Sequence, residues 1–202
     1  MFLDISPKFI WNFFFVIHDS KGIGLDISPK FIWNPYDTSV AKKIIEFEET
    51  PEQIKYFAGI CDNLTDYAYW FFLSTCWVSY TGYTDINLWR RLFSSSRQSK
   101  KTSIMKPTEL KAFEYLPYFV TAYRAHRPEE TDWIAYTLDI KIACRFARER
   151  NVDRISEYRI KKKDITALFL RRGEKEVIVL DKDKAQLIRE IHSKYFYGGR
   201  SE

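Results

Sequence analysis

The stretch from residue 118 to residue 180 constrains the fold of this chain most, because it contains short apolar runs that each begin or end at a polar or charged residue. One run leads into Arg124, a second at residues 133–136 leads into Thr137, and a third begins directly after Glu176. Runs of this length that are rich in β-branched and aromatic residues are typical of β-strands. The pattern therefore predicts a sheet whose strands carry polar groups at their ends.

A helical pattern separates the second and third of these runs. Its apolar positions follow the spacing i, i+3, i+4 and i+7, which is typical of an amphipathic helix, and they are Ile140, Ala143, Cys144 and Ala147. The small side chains of Ala143 and Ala147 would let this helix approach the sheet closely.

The rest of the chain completes an α+β pattern. Residues 37–116 carry apolar residues at helical spacing, and residues 67–80 are apolar nearly all round, which predicts a buried core helix. The C-terminal part predicts strands and helices in the order strand 133–136, helix 139–148, strands 155–160, 165–171 and 176–180, and a helix from Lys184 to about His192. We therefore expect a split mixed or antiparallel β-sheet after a helical N-terminal half.

Four regions follow from these patterns. Residues 1–36 form an N-terminal extension, residues 37–116 a helical region, residues 117–197 a β-rich core, and residues 198–202 a tail. The extension contains the same ten residues twice, at 3–12 and at 25–34. A single repeated pair is too little for a solenoid, so the repeat is a recent duplication, an artefact or a β-ribbon.

Composition and charge set broad limits on function. With 202 residues, 46% hydrophobic and 17% aromatic, the chain should form one globular domain with a large aromatic core, or a core domain with an added helical part. The net charge is +5, and basic residues concentrate at 90–106 and at 161–200. Such segments either meet the phosphates of a nucleotide or nucleic acid, or form a solvated face.

Cysteine and histidine usage bears on compartment and metal binding. Cys61, Cys76 and Cys144 lie in apolar surroundings without CxxC spacing, which predicts buried free thiols in a reducing cytoplasm. The three histidines show no metal-ligand spacing, so no metal site is expected. The apolar run at residues 68–78 is short for a membrane span. We expect a cytoplasmic protein without a membrane partner, in the host cytoplasm if it is phage-encoded.

Taken in order, the motifs of residues 118–180 resemble the ADP-ribosyltransferase-like fold, in particular bacterial and phage members of its arginine-first class. In that family a first strand carries Tyr-Arg, a second carries Ser or Thr and leads into a helix with an Ala-x-x-Phe-Ala pattern, and a late strand opens with Glu-x-Glu. The matching residues here are Tyr123 and Arg124, Tyr136 and Thr137, Ala143 with Phe146 and Ala147, and Glu174 with Glu176. The resemblance covers residues 118–202 and leaves the N-terminal half outside.

The resemblance implies that NAD is a substrate, and it assigns roles to the matching residues. Arg124 would hold the NAD phosphate or the nicotinamide ribose, and Thr137 would support the nicotinamide-ribose pocket. Glu176 would hydrogen-bond the ribose 2′-hydroxyl and stabilise the positive charge that develops as nicotinamide leaves. Glu174 would contact the acceptor. The further NAD-binding candidates are Tyr123, His126, Trp133, Tyr136 and Phe146.

Two departures from the family pattern leave alternatives open. The second motif reads Ile-Ala-Tyr-Thr-Leu and not Ser-Thr-Ser, so the second site position is not fixed by the resemblance. His126 and Tyr136 also permit a histidine-tyrosine-glutamate pattern, in which His126 takes the place of Arg124 on the first strand.

The resemblance also predicts a geometry. Arg124, Thr137 and Glu176 should line one cleft, although they come from strands far apart in sequence. The simpler alternative is that Glu176 faces water at a hairpin turn and that Arg124 pairs locally with Glu129 or Glu130.

Three functions remain open on the sequence. The first is an ADP-ribosyltransferase-like protein that transfers ADP-ribose from NAD to an unknown protein or nucleic acid, or hydrolyses NAD. The second is a catalytically inactive module that binds a nucleotide or blocks a partner, as a small phage or mobile-element inhibitor would. The third is a nucleic-acid-binding protein that uses the basic segments.

Overall fold

The computed structural model describes residues 35–79 and 85–192. Its α-helices over these residues are α1 (Pro35–Glu46), α2 (Pro51–Ile60), α3 (Asp66–Ser79), α4 (Ile86–Phe93), α5 (Lys100–Ile104), α6 (Pro107–Glu114) and α7 (Ile140–Glu149). Its strands are β1 (Phe119–Arg124), β2 (Ala135–Thr137), β3 (Arg154–Lys161), β4 (Ala167–Phe169), β5 (Glu176–Ile178) and β6 (Ala185–His192).

The chain divides into two compact units. The first comprises Met1–Thr84 and Ser96–Leu110, and the second comprises Asp85–Ser95 and Lys111–Glu202. The first unit holds α1, α2, α3, α5 and the beginning of α6. The second holds α4, the end of α6, α7 and the six strands. Helix α4, which belongs to the predicted helical region, therefore lies in the unit that contains the sheet.

The first unit is built around α3. Trp70, Leu73 and Cys76 of this helix are fully buried, which confirms the predicted core helix. The indole of Trp70 donates a hydrogen bond to the carbonyl of Gln98 over 3.0 Å. Arg97 donates to the carbonyl of Leu64 and holds the N-terminal end of the helix in place. The basic loop before α5 therefore makes internal contacts within this unit.

The second unit contains one six-stranded sheet in the order β4-β5-β2-β1-β3-β6. Every neighbouring pair in it is antiparallel. With helices and an antiparallel sheet together, the described chain is α+β, as predicted. Strands β4 and β5 form a hairpin whose connection includes Gly173 at φ +70°, a backbone region that favours glycine.

Helix α7 covers one face of this sheet. Ala143, Cys144 and Ala147 are buried against Ala125 and Ile155. Both alanines are fully buried, because small side chains allow the helix axis to approach the strands. The side chain of Asp139 accepts a hydrogen bond from the backbone N–H of Lys141 and caps the helix.

The predicted C-terminal helix is wrong. Residues 185–192 form strand β6, which pairs with β3 along its length. Strand β3 carries backbone donors and acceptors on the side away from β1, and pairing with β6 satisfies them. This long-range pairing outweighs the helical spacing of apolar residues that suggested a helix.

Several predictions fall outside the described residues. The ten-residue repeat and the tail at 198–202 lie there entirely, and only Pro35 and Tyr36 of the predicted extension are described, at the start of α1. Over the described ranges, no helix combines the length and apolar character that crossing a membrane requires.

Candidate functional site

The three central strands bring three of the predicted site residues together. Tyr123 of β1 pairs with Thr137 of β2, and Thr137 in turn pairs with Glu176 of β5. Residues directly opposite each other on antiparallel strands point to the same face of a sheet. Tyr123, Thr137 and Glu176 therefore form one row on the face that α7 covers.

Arg124 does not belong to this row. It follows Tyr123 within β1, and successive side chains of a strand point to opposite faces. Contacts agree with this assignment, since Tyr136, which precedes Thr137, packs against Tyr158 on the face of Arg124, with ring centroids 5.1 Å apart. The expectation that Arg124 and Glu176 line one cleft is therefore wrong.

The Thr137 hydroxyl fixes the turn that carries the two glutamates. It donates to the carbonyl of Glu174 over 2.7 Å and accepts from the backbone N–H of Asp139 over 3.1 Å. The backbone N–H of Leu138 also donates to the carbonyl of Lys175 over 2.9 Å. The buried Thr137 side chain thus holds the start of α7 and the Glu-x-Glu turn in position relative to each other.

Charged side chains surround this turn. The carboxylate of Glu174 pairs with Arg145 of α7 at 3.1 Å, and Asp139 pairs with Lys175 at 2.9 Å. The hydrogen bonds from the Lys175 ammonium and the Lys141 backbone hold the pKa of Asp139 below its usual value. Glu176 is half-buried at the beginning of β5. We call the set Thr137, Glu174, Lys175 and Glu176 the glutamate turn.

Phe146 lies on the same side of the sheet as the glutamate turn. Its ring packs beside the alanine core of α7, as does Tyr123. The guanidinium groups of Arg145 and Arg150 lie 5.0 and 4.9 Å from its centroid. Two cations therefore lie close to the Phe146 ring.

The opposite face carries a separate polar cluster built on Arg124. Its guanidinium donates from Nε and Nη2 to the two carboxylate oxygens of Glu130, over 2.9 and 2.6 Å, and from Nη1 to the carbonyl of Ala135 over 2.6 Å. The side chains of Arg124 and Glu130 are only 11% and 10% exposed. The local pairing that was the simpler alternative for Arg124 is therefore present.

His126 extends this cluster. Its Nδ1 lies 3.1 Å from the Glu130 carboxylate, and its Nε2 lies 2.8 Å from the Tyr158 hydroxyl. Glu130, His126 and Tyr158 thus form a continuous hydrogen-bonded chain, with Arg124 at its carboxylate end. The sequence did not identify Tyr158 as a candidate site residue. The alternation of buried residues along β3 was the only signal that its side chain points inward.

Two aromatic residues border the same cluster. The indole of Trp133 donates to the Tyr136 hydroxyl over 2.8 Å, and the ring of Trp133 lies 4.2 Å from that of His126. We call Arg124, His126, Glu130, Trp133, Tyr136 and Tyr158 the arginine cluster. Four of the nine predicted site residues therefore belong to the arginine cluster, and the other five lie on the α7 face.

Electrostatics in the arginine cluster favour the ionised carboxylate. Burial alone would raise the pKa of Glu130, but hydrogen bonds from His126 and Arg124 outweigh it and lower this pKa to about 2. Burial raises the pKa of Tyr136 and of Tyr158, so both phenols are neutral at physiological pH. Among the described residues, no group of His, Cys, Asp or Glu side chains is arranged to hold a metal ion.

Comparisons with known proteins identify no relative. No protein-family model matches the chain, no curated protein matches it, and no solved structure matches it. The sheet order, the glutamate turn and the arginine cluster are therefore the features from which function is inferred.

Proposed function

We propose that this chain is an ADP-ribosyltransferase-like protein that binds NAD at the glutamate turn and transfers ADP-ribose to a macromolecule or hydrolyses NAD. The observation that supports the proposal is the direct pairing of Thr137 with Glu176 on adjacent strands. The hydroxyl of Thr137 also fixes Glu174. Two of the three family motifs, distant in sequence, thus meet where the neighbouring strands β2 and β5 end and begin.

Each residue of the glutamate turn has a role in this proposal. Glu176 accepts a hydrogen bond from the ribose 2′-hydroxyl and stabilises positive charge on the ribose as nicotinamide departs, because a fixed carboxylate in a partly buried position needs little reorganisation. Glu174 contacts the acceptor. Thr137 positions both glutamates through contacts with their backbone. Lys175 of the turn and Arg145, which pairs with Glu174, take the phosphate-binding role that the resemblance gave to Arg124.

Incubation of the purified protein with NAD labelled in the nicotinamide or in the adenosine tests the proposal, alone and in a cell lysate. Release of nicotinamide is expected, with labelled product in the lysate if a macromolecule is the acceptor. Glu176→Gln should lower the rate about 100-fold or more. Glu52→Gln, a change of the same kind at a carboxylate of α2 that is 57% exposed, is the matched control.

The outcome that contradicts catalysis is a folded protein that releases no nicotinamide and labels no product. Equal rates for Glu176→Gln and the parent protein would contradict the role of Glu176 specifically.

We propose as a second candidate that the protein binds a nucleotide without turning it over. The observation that favours it is the pairing of Arg124 with Glu130 on the face opposite to Glu176, which separates the arginine from the catalytic carboxylate. Calorimetry with NAD, ADP-ribose and nicotinamide distinguishes the candidates. Tight binding of NAD with no nicotinamide release supports the binding module, whereas release supports the enzyme.

A further inference from the structure

A corner of the sheet that neither proposed function uses combines exposed aromatic rings with exposed cations. It consists of the entry into β1 and the end of β3, and we call it the β1–β3 corner. Tyr115 and Tyr118 are 79% and 64% exposed there, and Phe119 is 40% exposed. Rings of this size are usually buried, so three neighbouring exposed ones mark an interaction surface.

Cations lie directly beside the Phe119 ring, which the Tyr118 ring contacts. Phe119 pairs with Lys161 across the β1–β3 ladder, and Thr121 pairs with Arg159, so all four side chains point to the same face. The guanidinium of Arg159 lies 3.9 Å from the centroid of the Phe119 ring. Arg159, Lys161 and Lys163 are exposed, and within the described ranges none of the three has an ion-pair partner.

The backbone at this corner is held in place by the chain itself. The N–H of Lys162 donates to the carbonyl of Tyr118 over 2.9 Å, and the Lys162 ammonium donates to the carbonyl of Glu114 at the end of α6 over 2.7 Å. The rings of Tyr118 and Phe119 meet edge to face at 4.8 Å. A surface that is ordered before binding loses little conformational entropy when a ligand binds.

The charge at this corner selects an anionic partner. The acids near it are Glu114 and Asp164, against the cations Arg159, Lys161, Lys162 and Lys163. In the other basic segment, Arg90 pairs with Asp132, Arg97 pairs with Asp66, and the Lys100 ammonium lies 4.8 Å from the centroid of the Trp70 ring. The β1–β3 corner therefore offers an anionic partner exposed cations that, among the described residues, have no ion-pair partner.

We propose that the β1–β3 corner binds single-stranded nucleic acid, with bases stacked on Tyr115 and Tyr118 and phosphates contacting Arg159, Lys161 and Lys163. Aromatic side chains beside a positively charged surface are the combination that recognises single strands, because every unpaired base has a stacking face and every nucleotide a phosphate. A duplex would offer phosphates but no free base faces. The proposal is independent of NAD binding, since none of these residues belongs to the glutamate turn or the arginine cluster.

The test is fluorescence anisotropy of the full chain with labelled oligothymidylate and oligouridylate of about 12 nucleotides, titrated at several salt concentrations. Binding should weaken with salt, and three phosphate contacts predict a slope of about −2 in log affinity against log salt. The double change Lys161→Ala and Lys163→Ala removes two of these contacts and should make the slope shallower by about 1.4. Tyr118→Ala should weaken binding about fivefold or more, and Tyr118→Phe should retain it because the ring is kept.

Two changes of the same kind serve as controls and should leave binding unaltered. Arg154→Ala removes an exposed cation from the other end of β3, and Tyr36→Ala removes a tyrosine of α1 that is 43% exposed.

Three results would overturn the proposal. One is the absence of binding at about 50 mM salt. Another is binding that the β1–β3 variants do not change, which would place the contact elsewhere in the chain. The last is equally tight binding of heparin or anionic lipid vesicles together with no effect of Tyr118→Ala, which would make the corner a surface for polyanions in general.

Discussion

Arg124 and Glu130 form a two-pronged ion pair on the face of the sheet that does not carry Glu176. Both side chains are close to 10% exposed, and His126 shares the same carboxylate at 3.1 Å. An arginine that is held by a bidentate carboxylate stabilises the fold. Mutation of this pair should therefore change the free energy of unfolding.

Removal of the carboxylate should destabilise the protein. Glu130→Gln leaves the Arg124 guanidinium in a largely buried position without its counter-charge, which typically costs about 3–5 kcal/mol. Urea unfolding followed by circular dichroism measures the change. Glu129→Gln alters the neighbouring exposed residue and should shift the free energy of unfolding by less than about 0.5 kcal/mol. Similar midpoints for the two variants would refute the importance of the pair.

Low pH should remove the stabilisation that the Arg124–Glu130 ion pair provides. The pKa of Glu130 falls from 4.5 to about 2 in the folded chain, so folding favours the ionised form. Its contribution is fully present above about pH 4.5 and is lost as the pH falls towards 2. The stability difference between the parent protein and Glu130→Gln should therefore be constant near neutrality and shrink across this window. A difference that stays constant down to pH 2 would contradict the assignment.

The hydroxyl of Thr137 should contribute more to the stability of the fold than the shape of its side chain does. Thr137→Val keeps the volume but leaves the carbonyl of Glu174 and the N–H of Asp139 without this partner, at a cost of about 1–3 kcal/mol for each group that stays buried and unsatisfied. Thr137→Ser retains both hydrogen bonds and should lose less. Thermal and urea unfolding of the Thr137→Val and Thr137→Ser variants provide the measurement. A valine variant as stable as the serine variant would show that the hydroxyl does not fix the turn.

The close contact between α7 and the sheet should not tolerate a larger residue. Ala143→Leu adds a branched side chain at a fully buried position and should destabilise the fold by about 1–3 kcal/mol. Lys141→Leu places the same side chain on the exposed side of the helix and serves as the control. If Ala143→Leu left the unfolding midpoint unchanged, the helix would not lie as close to the strands as described.

The thiols should be protected in the folded protein. All three cysteines are free and buried, as the sequence predicted, and burial raises the pKa of the Cys76 thiol, which lowers its thiolate content. Ellman's reagent at about pH 8 should therefore react slowly with the native chain and with all three cysteines in urea. Rapid reaction of one thiol without denaturant would show that its surroundings open readily.

The sequence alone determined the local character of most elements. Short apolar runs rich in β-branched residues predicted β1, β3 and β5, and the helical spacing with small residues at 143 and 147 predicted α7 and its close approach. The all-round apolar pattern of α3 predicted a buried helix. These features depend on residues near each other in the chain, so a local pattern is sufficient to identify them.

The tertiary structure decided the features that depend on pairing between distant strands. Residues 185–192 became a strand because β3 offered backbone groups to pair with, which no local pattern reveals. Side chains alternate along β1, so either Tyr123 or Arg124 had to share a face with Glu176. The register of β1 with β2 and of β2 with β5 selected Tyr123. A shift of one residue would exchange the two faces, and that register is set by packing across the sheet.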